Sequence, residues 1–293
     1  MTPPRVVAAL VTRDRRDLLR QSLAGVAGQT RPPDGVVVVD NASGDSTPAM
    51  LAEEFPDVRV VALPANVGSA GGYHEAIAAG CGEGADWLWL LDDDTVARPD
   101  ALAELLGALD ELDGTSPPSL LASRVEWRDG EPHPMNRPTI RRRDPQELAA
   151  AVRRGFLPLR ATTFVSLLIS RDAVERAGLP LRHFFFQVDD IEYTARILRG
   201  TRGYFVPRSV VEHRTPSKHT SIGDDRRFYH HARNTVFMLR GDAWAPEEKP
   251  ALAWSLARSA VEYLGARRMT PASVRTLVTA LAAGLARRAR TRP

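Results

Sequence analysis

The chain has 293 residues, of which 43% are hydrophobic and 26% are charged. This length and apolar content suit one large globular domain, or a domain with an appendage. The formal net charge is only +3, so we expect no nucleic-acid partner. Cys81 is the single cysteine, which excludes an intramolecular disulfide and a cysteine-based zinc site.

The first part of the chain alternates strand and helix patterns. The predicted elements are a strand at 6–11, a helix at 17–27, a strand at 36–39, a helix at 46–54, a strand at 58–63, a helix at 70–79 and a strand at 87–91. The β-branched run Val36–Val39 is typical of a buried parallel strand. Alternation of this kind predicts βαβ units and a mostly parallel sheet.

The middle and the end of the chain are less regular. We predict strands at 120–127, 162–170, 204–206 and 210–211, helices at 146–154, 191–198 and 225–239, and a Pro- and Arg-rich loop at 128–143. From Pro246 the sequence becomes rich in Ala and Leu, which predicts helices at 251–263 and 271–288. We therefore predict a main domain at 1–245 and a basic helical appendage at 246–293.

The ends of the chain bear on its location. Met1–Arg5 leads directly into a short apolar run, and no run approaches the ~18 apolar residues of a spanning helix. With a single cysteine, these features predict a cytoplasmic protein. Arginines cluster at 141–143 and at 287, 288, 290 and 292. The basic C-terminal helices are candidates for peripheral contact with the inner membrane face, for packing on the domain, or for a homo-oligomer interface.

Four distinctive segments fall at the ends of predicted strands. They are Thr12-Arg13, Asp40–Ser43, Asn66–Gly72 and Asp92–Asp94. In an open α/β sheet, ligands bind outside the carboxyl ends of the strands. The four segments together therefore predict a binding site at this edge.

Three adjacent carboxylates follow the fourth predicted strand. Such neighbours repel one another unless a cation relieves the repulsion, and hard oxygen ligands suit Mg²⁺ or Mn²⁺. In extended chain Asp92 and Asp94 point the same way, so one can face a nucleotide and the other a metal. The alternative is a solvated acidic turn, or a cap for a helix near Asp100.

The segment Asn66–Gly72 has three glycines before a helix. It would let the backbone approach an anionic ligand at the helix N-terminus, although a tight turn explains it equally well. It matches neither a Walker motif nor the GxGxxG spacing. Asp40 could bind a base or a ribose, or else cap a helix, for which Asp45 and Ser46 are the better candidates.

The second half carries three further candidates. Aromatic residues at 184–186 lead into Asp189 and Asp190, where burial would raise a carboxylate pKa and favour acid–base chemistry. Helix capping is the structural alternative. His213 ends a predicted strand and could supply an imidazole to a metal, in competition with His183, His219, His230 and His231. Arg233 lies on a predicted helix and could contact phosphate.

In motif order, residues 5–240 resemble the family 2 glycosyltransferases. The segment beginning Val-Val-Asp40-Asn-Ala-Ser is similar to the nucleotide-binding strand end of that family. The Gly-rich segment followed by Trp-Leu-Leu-Asp-Asp-Asp is most similar to its galactofuranosyltransferase branch, with rhamnosyltransferases close by. The later Asp-Asp-Ile-Glu, His213 and Tyr-x-x-x-Arg-Asn fit the same branch. One departure is Val188, which stands where the family often has Trp.

This resemblance implies a fold and a set of roles. The fold would be GT-A, a Rossmann-like mostly parallel sheet flanked by helices, with a nucleotide-sugar half at 1–115 and an acceptor half at 116–245. The implied donor-binding residues are Thr12, Arg13, Asp40, Asn66, Gly71, Gly72, Asp92, Asp93 and Arg233. Asp92, Asp94 and His213 would hold Mn²⁺ or Mg²⁺, and Asp190, with Asp189 beside it, would be the catalytic base.

The implied reaction is an inverting sugar transfer. The donor would be a UDP-galactofuranose-like or dTDP-rhamnose-like nucleotide sugar, and the acceptor a hydroxyl of a glycolipid, a polysaccharide or a natural product. Two alternatives stay open at this point. A sugar-1-phosphate nucleotidyltransferase also needs carboxylates and a metal. A non-catalytic nucleotide-sugar-binding protein would bind the donor without transferring the sugar.

Overall fold

A computed structural model describes residues 3–112, 117–218 and 223–286. Its strands are β1 (Val6–Thr12), β2 (Gly35–Asp40), β3 (Arg59–Ala62), β4 (Trp87–Asp92), β5 (Thr95–Ala97), β6 (Leu120–Glu126), β7 (Thr139–Ile140), β8 (Leu157–Ala161), β9 (Leu167–Ser170) and β10 (Gly203–His213). Its α-helices are α1 (Arg16–Ala27), α2 (Thr47–Glu54), α3 (Gly68–Gly82), α4 (Ala101–Leu112), α5 (Pro145–Arg153), α6 (Arg171–Ala177), α7 (Asp189–Ile197), α8 (Asp225–Arg240), α9 (Lys249–Ala266) and α10 (Pro271–Ala286).

One continuous sheet forms the centre of the molecule. Its strand order is β3-β2-β1-β4-β9-β6-β10-β8-β7, and β5 pairs with β10. The pairs among β1 to β4 are parallel, as is the pair β6–β10, whereas β9 runs antiparallel between β4 and β6. The predicted α/β class, a mostly parallel sheet flanked by helices, is confirmed.

Both faces of the sheet are covered by apolar layers. On one face Leu19 of α1 and Leu105 of α4 pack in a core with alternate residues of β1 and β4. On the other face Ile77 of α3 and Tyr193 of α7 pack with the intervening residues of the same strands. Burial on both sides explains why β1, β2 and β4 are continuous apolar runs rather than alternating ones.

The second half differs from the sequence prediction in two places. The single strand predicted at 162–170 is wrong, because the chain leaves the sheet after β8 and rejoins it in β9. Between them the backbone N–H of Thr162 donates to Thr194 Oγ1 at 3.0 Å, and Ser166 has φ of +53°. The two short strands at 204–206 and 210–211 are one strand, β10, whose register shifts between Val206 and Val210.

Some elements were not predicted. They include β5, β7, β8 and α6, and the predicted loop at 128–143 also contains a 3₁₀ turn at Pro134–Asn136. The start of α6 has a clear local cause, because Ser170 Oγ accepts a hydrogen bond from the N–H of Ala173 at 3.2 Å. β5 has only three residues, and its partner β10 is distant in sequence.

The C-terminal helices α9 and α10 both contact α8. Tyr263 of α9 stacks on Phe228 of α8 at 3.8 Å between ring centroids, and its hydroxyl donates to Asp225 at 2.7 Å. Gly284 of α10 lies so close to α8 that an added Cβ would be 2.6 Å from Val236 Cβ. The arginines at 287, 288, 290 and 292 lie outside the described residues. Among the helices that are described, none is both long and apolar enough to cross a membrane.

The contact of α10 with α8 predicts opposite effects of one substitution at two helical glycines. Gly284→Ala should destabilise the protein by about 1–3 kcal/mol, because the new methyl group overpacks the interface with Val236. Gly265→Ala in α9 meets nothing within 4 Å, and should stabilise by up to about 1 kcal/mol through helix propensity. Urea unfolding measures both free energies. Equal gains at the two positions would contradict the packing of α10 on α8.

Candidate active site

Two carboxylates at the end of β4 meet the histidine that ends β10. His213 Nε2 lies 3.0 Å from Asp94 Oδ1 and 3.8 Å from Asp92 Oδ2. One ligand atom from each of the three residues lies within 4.8 Å of the other two. The cause is the topology, because β5 pairs His213 directly with Thr95, the residue after Asp94. The structure therefore brings together the three residues predicted to hold a metal.

A hydrogen bond orients the imidazole of His213. Its Nδ1 lies 2.8 Å from Asn136 Oδ1, and Asn136 Nδ2 donates to Thr163 Oγ1 at 3.0 Å. Because the amide oxygen can only accept, Nδ1 carries a proton and Nε2 faces the carboxylates. A histidine that ligates a metal through one nitrogen is typically held in this way at the other. Two carboxylates and one imidazole suit Mn²⁺ or Mg²⁺ in ligand type, and their mutual repulsion favours a cation.

Asp93 points away from this cluster. Its Oδ2 accepts from Thr12 Oγ1 at 2.9 Å, and its Oδ1 accepts from Arg15 Nη1 at 3.0 Å. The same Arg15 nitrogen donates to Asp94 Oδ2 at 2.8 Å. Arg15 thus offsets part of the charge at the end of β4. A third contact comes from Tyr73 of α3, whose hydroxyl donates to Asp92 Oδ1.

The pKa values reflect crowding and burial. Burial and the charge of Asp94 raise the pKa of Asp92, and burial raises the pKa of Asp93 to about 7. Burial acts in the same direction on Asp94, but the hydrogen bond and charge of His213 outweigh it and lower that pKa. Burial opposes the charged imidazole, yet Asp94 raises the pKa of His213 above its usual range.

The second carboxylate pair begins α7. Asp189 is buried, and its Oδ2 accepts from Ser69 Oγ at 3.0 Å. Burial raises the pKa of Asp189 to about 7, and burial together with the charge of Asp189 raises the pKa of Asp190 well above its ordinary value. The charge of Asp92 contributes to both shifts, which links this pair to the cluster at β4.

The strand end of β2 forms a turn. Asp40 is buried, and its Oδ1 accepts from the N–H of Ser43 at 3.0 Å. Its neighbour Asn41 accepts from the N–H of Val67 at 2.9 Å and donates to the carbonyl of Gly68 at 3.1 Å. Ser46 is the N-cap residue of α2 but makes no capping hydrogen bond, whereas Asp45 Oδ1 accepts from the N–H of Thr47, the first residue of the helix, at 2.9 Å. The turn therefore joins β2 to the Gly-rich segment.

The glycines of that segment have packing roles. An added Cβ on Gly71 would lie 2.5 Å from Val67 Cγ2, and one on Gly72 would lie 2.5 Å from Val11 Cγ1. Gly68 has φ of +74°, and its Cβ would be 1.9 Å from the carbonyl oxygen of Phe185. Asn66 accepts from the N–H of Gly68 at 2.9 Å. Close packing therefore requires glycine at these three positions, whether or not they also contact a donor.

The remaining predicted donor residues differ in their surroundings. Thr12 is buried against Asp93, whereas Arg13 is exposed and forms an ion pair with Asp14 at 3.4 Å. Arg233 Nη2 donates to the carbonyls of Phe184 at 2.7 Å and His183 at 3.3 Å. The donor-binding roles of these residues stay predictions.

Sequence reasoning missed Arg15, Tyr73 and Asn136, all of which contact the cluster. Arg15 carried a usable signal, because it follows the end of β1 by three residues and so lies beside the end of β4. Tyr73 and Asn136 carried none, since only the packing of α3 and the 3₁₀ turn brings them to the site. His183, His230 and His231 lie outside the cluster, and His219 falls outside the described residues.

Comparison with known proteins supports this description. The chain is 31% identical over 197 residues to the galactofuranosyltransferase GlfT1 of Mycobacterium tuberculosis. That match covers 67% of this chain and 65% of GlfT1, so the chain spans slightly less than two thirds of that relative. It is 25% identical to the N-acetylglucosaminyl-diphospho-decaprenol L-rhamnosyltransferase of the same species, over 81% of this chain and 84% of that protein.

A solved structure shows the same fold. The mannosyltransferase PcManGT from Pyrobaculum calidifontis, in complex with GDP-Man and Mn²⁺, has a TM-score of 0.58 and 21% identity. The alignment covers 98% of this chain and 82% of PcManGT. The predicted GT-A fold is confirmed by this likeness.

The family is established by a match to its model. The model of glycosyl transferase family 2 matches residues 8–175, which is more than half of the chain and includes most of β1 and the whole of β2 to β9. The galactofuranosyltransferase and rhamnosyltransferase among its relatives belong to the branch that the sequence motifs indicated. The chain therefore belongs to glycosyl transferase family 2.

Proposed function

We propose that this chain is an inverting glycosyltransferase that moves a sugar from a nucleoside-diphosphate sugar to an acceptor hydroxyl with a divalent cation bound. The observation that carries the proposal is the convergence of Asp92, Asp94 and His213 at the end of β4. These residues would hold Mn²⁺ or Mg²⁺. When bound there, the cation supplies charge that stabilises the leaving diphosphate. A sugar-1-phosphate nucleotidyltransferase and a non-catalytic binding protein fit the family match less well.

The acceptor is activated by Asp190 in this proposal. The raised pKa of Asp190 makes its carboxylate a stronger base than an ordinary aspartate. Asp190 takes the proton of the acceptor hydroxyl while that oxygen bonds to the anomeric carbon. The bond between the anomeric carbon and the diphosphate oxygen breaks on the opposite side, and the configuration inverts. Asp189 is held by Ser69 and serves to orient its neighbour.

The donor side lies on the strand ends of β1, β2 and β4. The residues proposed to bind the nucleotide sugar are Thr12, Arg13, Asp40, Asn66, Gly71, Gly72, Asp92, Asp93 and Arg233. Relatives named for galactofuranose and rhamnose transfer favour UDP-galactofuranose or dTDP-rhamnose as donor. The acceptor would be a hydroxyl of a glycolipid, a polysaccharide or a natural product.

Substitution at the cluster tests the metal assignment. Asp94→Asn should lower Mn²⁺ affinity by more than about 100-fold, beyond the loss expected for a supporting residue. Asp93→Asn is the matched control, because Asp93 adjoins Asp94 in sequence and shares Arg15 but faces Thr12. It should lower the affinity by less than about 10-fold. Titration calorimetry with MnCl₂ measures both, and an unchanged affinity in Asp94→Asn would remove Asp94 from the ligand set.

Substitution of the proposed base separates binding from transfer. Asp190→Asn should lower the transfer rate by about 10²–10⁴-fold, since the amide cannot accept the proton. Donor affinity should stay unchanged when it is measured by thermal shift with UDP-galactofuranose or dTDP-rhamnose and Mn²⁺. Asp172→Asn, an exposed first-turn carboxylate of α6, is the control and should leave both intact. Near-normal transfer by Asp190→Asn would exclude it as the base.

A peripheral membrane contact is proposed through the C-terminal arginines. Because α10 packs on α8, removing residues 271–293 would also expose the face of α8 that α10 buries. Replacing the arginines at 287, 288, 290 and 292 by Ala is the cleaner change, and each arginine would contribute about 1 kcal/mol at an anionic surface. The full chain should float with phosphatidylglycerol vesicles but not with phosphatidylcholine vesicles, and the variant with neither. Equal flotation of both proteins would contradict the proposal.

A further inference from the structure

The segment Phe185–Val188 enters α7 through an unusual backbone path. Phe185, Gln187 and Val188 have φ of +62°, +70° and +55°. Residues other than glycine rarely adopt such values, and a β-branched residue such as Val188 does so least. A path of this kind persists only where the surrounding structure holds it in place.

Asn234 of α8 holds one side of this segment. The side chain is fully buried, and its Nδ2 donates to the carbonyls of Phe184 at 2.9 Å, Phe186 at 2.8 Å and Gln187 at 2.8 Å. Two N–H hydrogens are therefore shared among three acceptors. Asn234 Oδ1 accepts from Arg233 Nε at 2.9 Å, which fixes the orientation of the amide because a guanidinium only donates.

The start of α3 holds the other side. The backbone N–H of Ala70 donates to the carbonyl of Phe185 at 3.2 Å. Gly68 approaches the same carbonyl so closely that its Cβ would lie 1.9 Å from the oxygen. One residue further, Ser69 Oγ donates to Asp189. The segment is thus clamped between α3 and α8.

This clamp sets where α7 begins. Val188 directly precedes Asp189, and its carbonyl accepts the first helical bond, from the N–H of Glu192 at 3.0 Å. Successive residues of a helix are rotated by about 100°. A change of one residue in the start of α7 would therefore turn both Asp189, which faces Ser69, and Asp190 by about 100° about the helix axis.

We propose that Asn234 is a positioning residue, which fixes the Phe185–Val188 segment and thereby aims Asp190 at the acceptor hydroxyl. This inference rests on the proposed function, in which Asp190 is the base. It also adds a structural role for Arg233 to its proposed donor role, because Arg233 and Asn234 both donate to the carbonyl of Phe184, the residue that precedes the segment.

The first test compares two neighbouring substitutions on α8. Asn234→Ala should lower kcat for sugar transfer by about 100-fold, the scale of a misplacement of about 1 Å. The Kd of the nucleotide sugar, measured by calorimetry with Mn²⁺, should stay within about twofold, because Arg233, the proposed donor residue beside Asn234, keeps its hydrogen bonds to the carbonyls of Phe184 and His183. Thr235→Val is the matched control, since the Thr235 hydroxyl donates within its own helix, to the carbonyl of His231 at 2.8 Å. It should change neither quantity.

A second pair of variants gives a result even where Asn234→Ala folds poorly. Val188→Gly permits the positive φ without strain, so Val188→Gly/Asn234→Ala should recover part of the lost kcat. In an Asp190→Asn background, Asn234→Ala should cause no further loss, because a positioning residue acts through the base. Equal losses of kcat and donor affinity, or a full additional loss in the Asp190→Asn background, would overturn the inference.

The outcomes distinguish this inference from the proposed function. If Asp190→Asn transfers sugar at a normal rate, the base is misassigned whatever Asn234→Ala does. If Asp190→Asn is inactive while Asn234→Ala keeps a normal kcat, the proposed function stands and the positioning role is rejected. A loss in both, without a loss of donor binding, supports both assignments.

Discussion

The crowding of negative charge at the end of β4 is the constraint on which the site depends. Asp92, Asp93 and Asp94 are consecutive, and burial makes their mutual repulsion stronger than it would be in water. Two side chains contact Asp94 and offset part of this charge: Arg15 on one side and His213 on the other. Both partners come from elements that reach β4 only through the topology of the sheet. Burial still raises the pKa of Asp92 and that of Asp93 despite these partners, and the proposed divalent cation would offset part of the negative charge.

The same topology divides the site into two parts with different supports. The metal cluster is anchored by parallel strands and by the short β5–β10 pair. Asp190, the proposed base, stands at the start of α7, after a segment that α3 and α8 hold through hydrogen bonds to its carbonyls. The start of α3 contributes to both parts, because Tyr73 binds Asp92 and Ser69 binds Asp189. This helix is therefore a physical link between the carboxylates at β4 and those at α7.

Much of the first half was predictable from the sequence. Continuous apolar runs in β1, β2 and β4 and the polar residues after them identified both the parallel sheet and its functional edge. Local sequence patterns did not predict the elements whose structure depends on contacts with residues distant in sequence. β5 is too short to predict alone, and the break between β8 and β9 depends on Thr162 bonding to Thr194 of α7.

The site shows the same division. Asp92, Asp94 and His213 were predictable because a resemblance joined residues far apart in the chain, and the structure brings them together. Gly71 and Gly72 have close contacts with Val67 and Val11 that the sequence did not reveal, and their donor-binding role stays a prediction. The Arg-Asn pair on α8 was identified by its motif, but its contacts with the backbone of another segment could not be read from residue types.

The central claim is that Asp92, Asp94 and His213 bind one divalent cation. Electron spin-echo envelope modulation spectroscopy of the Mn²⁺-loaded protein tests this claim most directly. An imidazole bound to Mn²⁺ gives a ¹⁴N signal, whereas carboxylates and water do not. The account predicts a ¹⁴N modulation from one imidazole nitrogen, present in the unaltered chain and in His183→Ala but absent in His213→Ala. Bound Mn²⁺ without nitrogen modulation, or modulation that survives in His213→Ala, would contradict it.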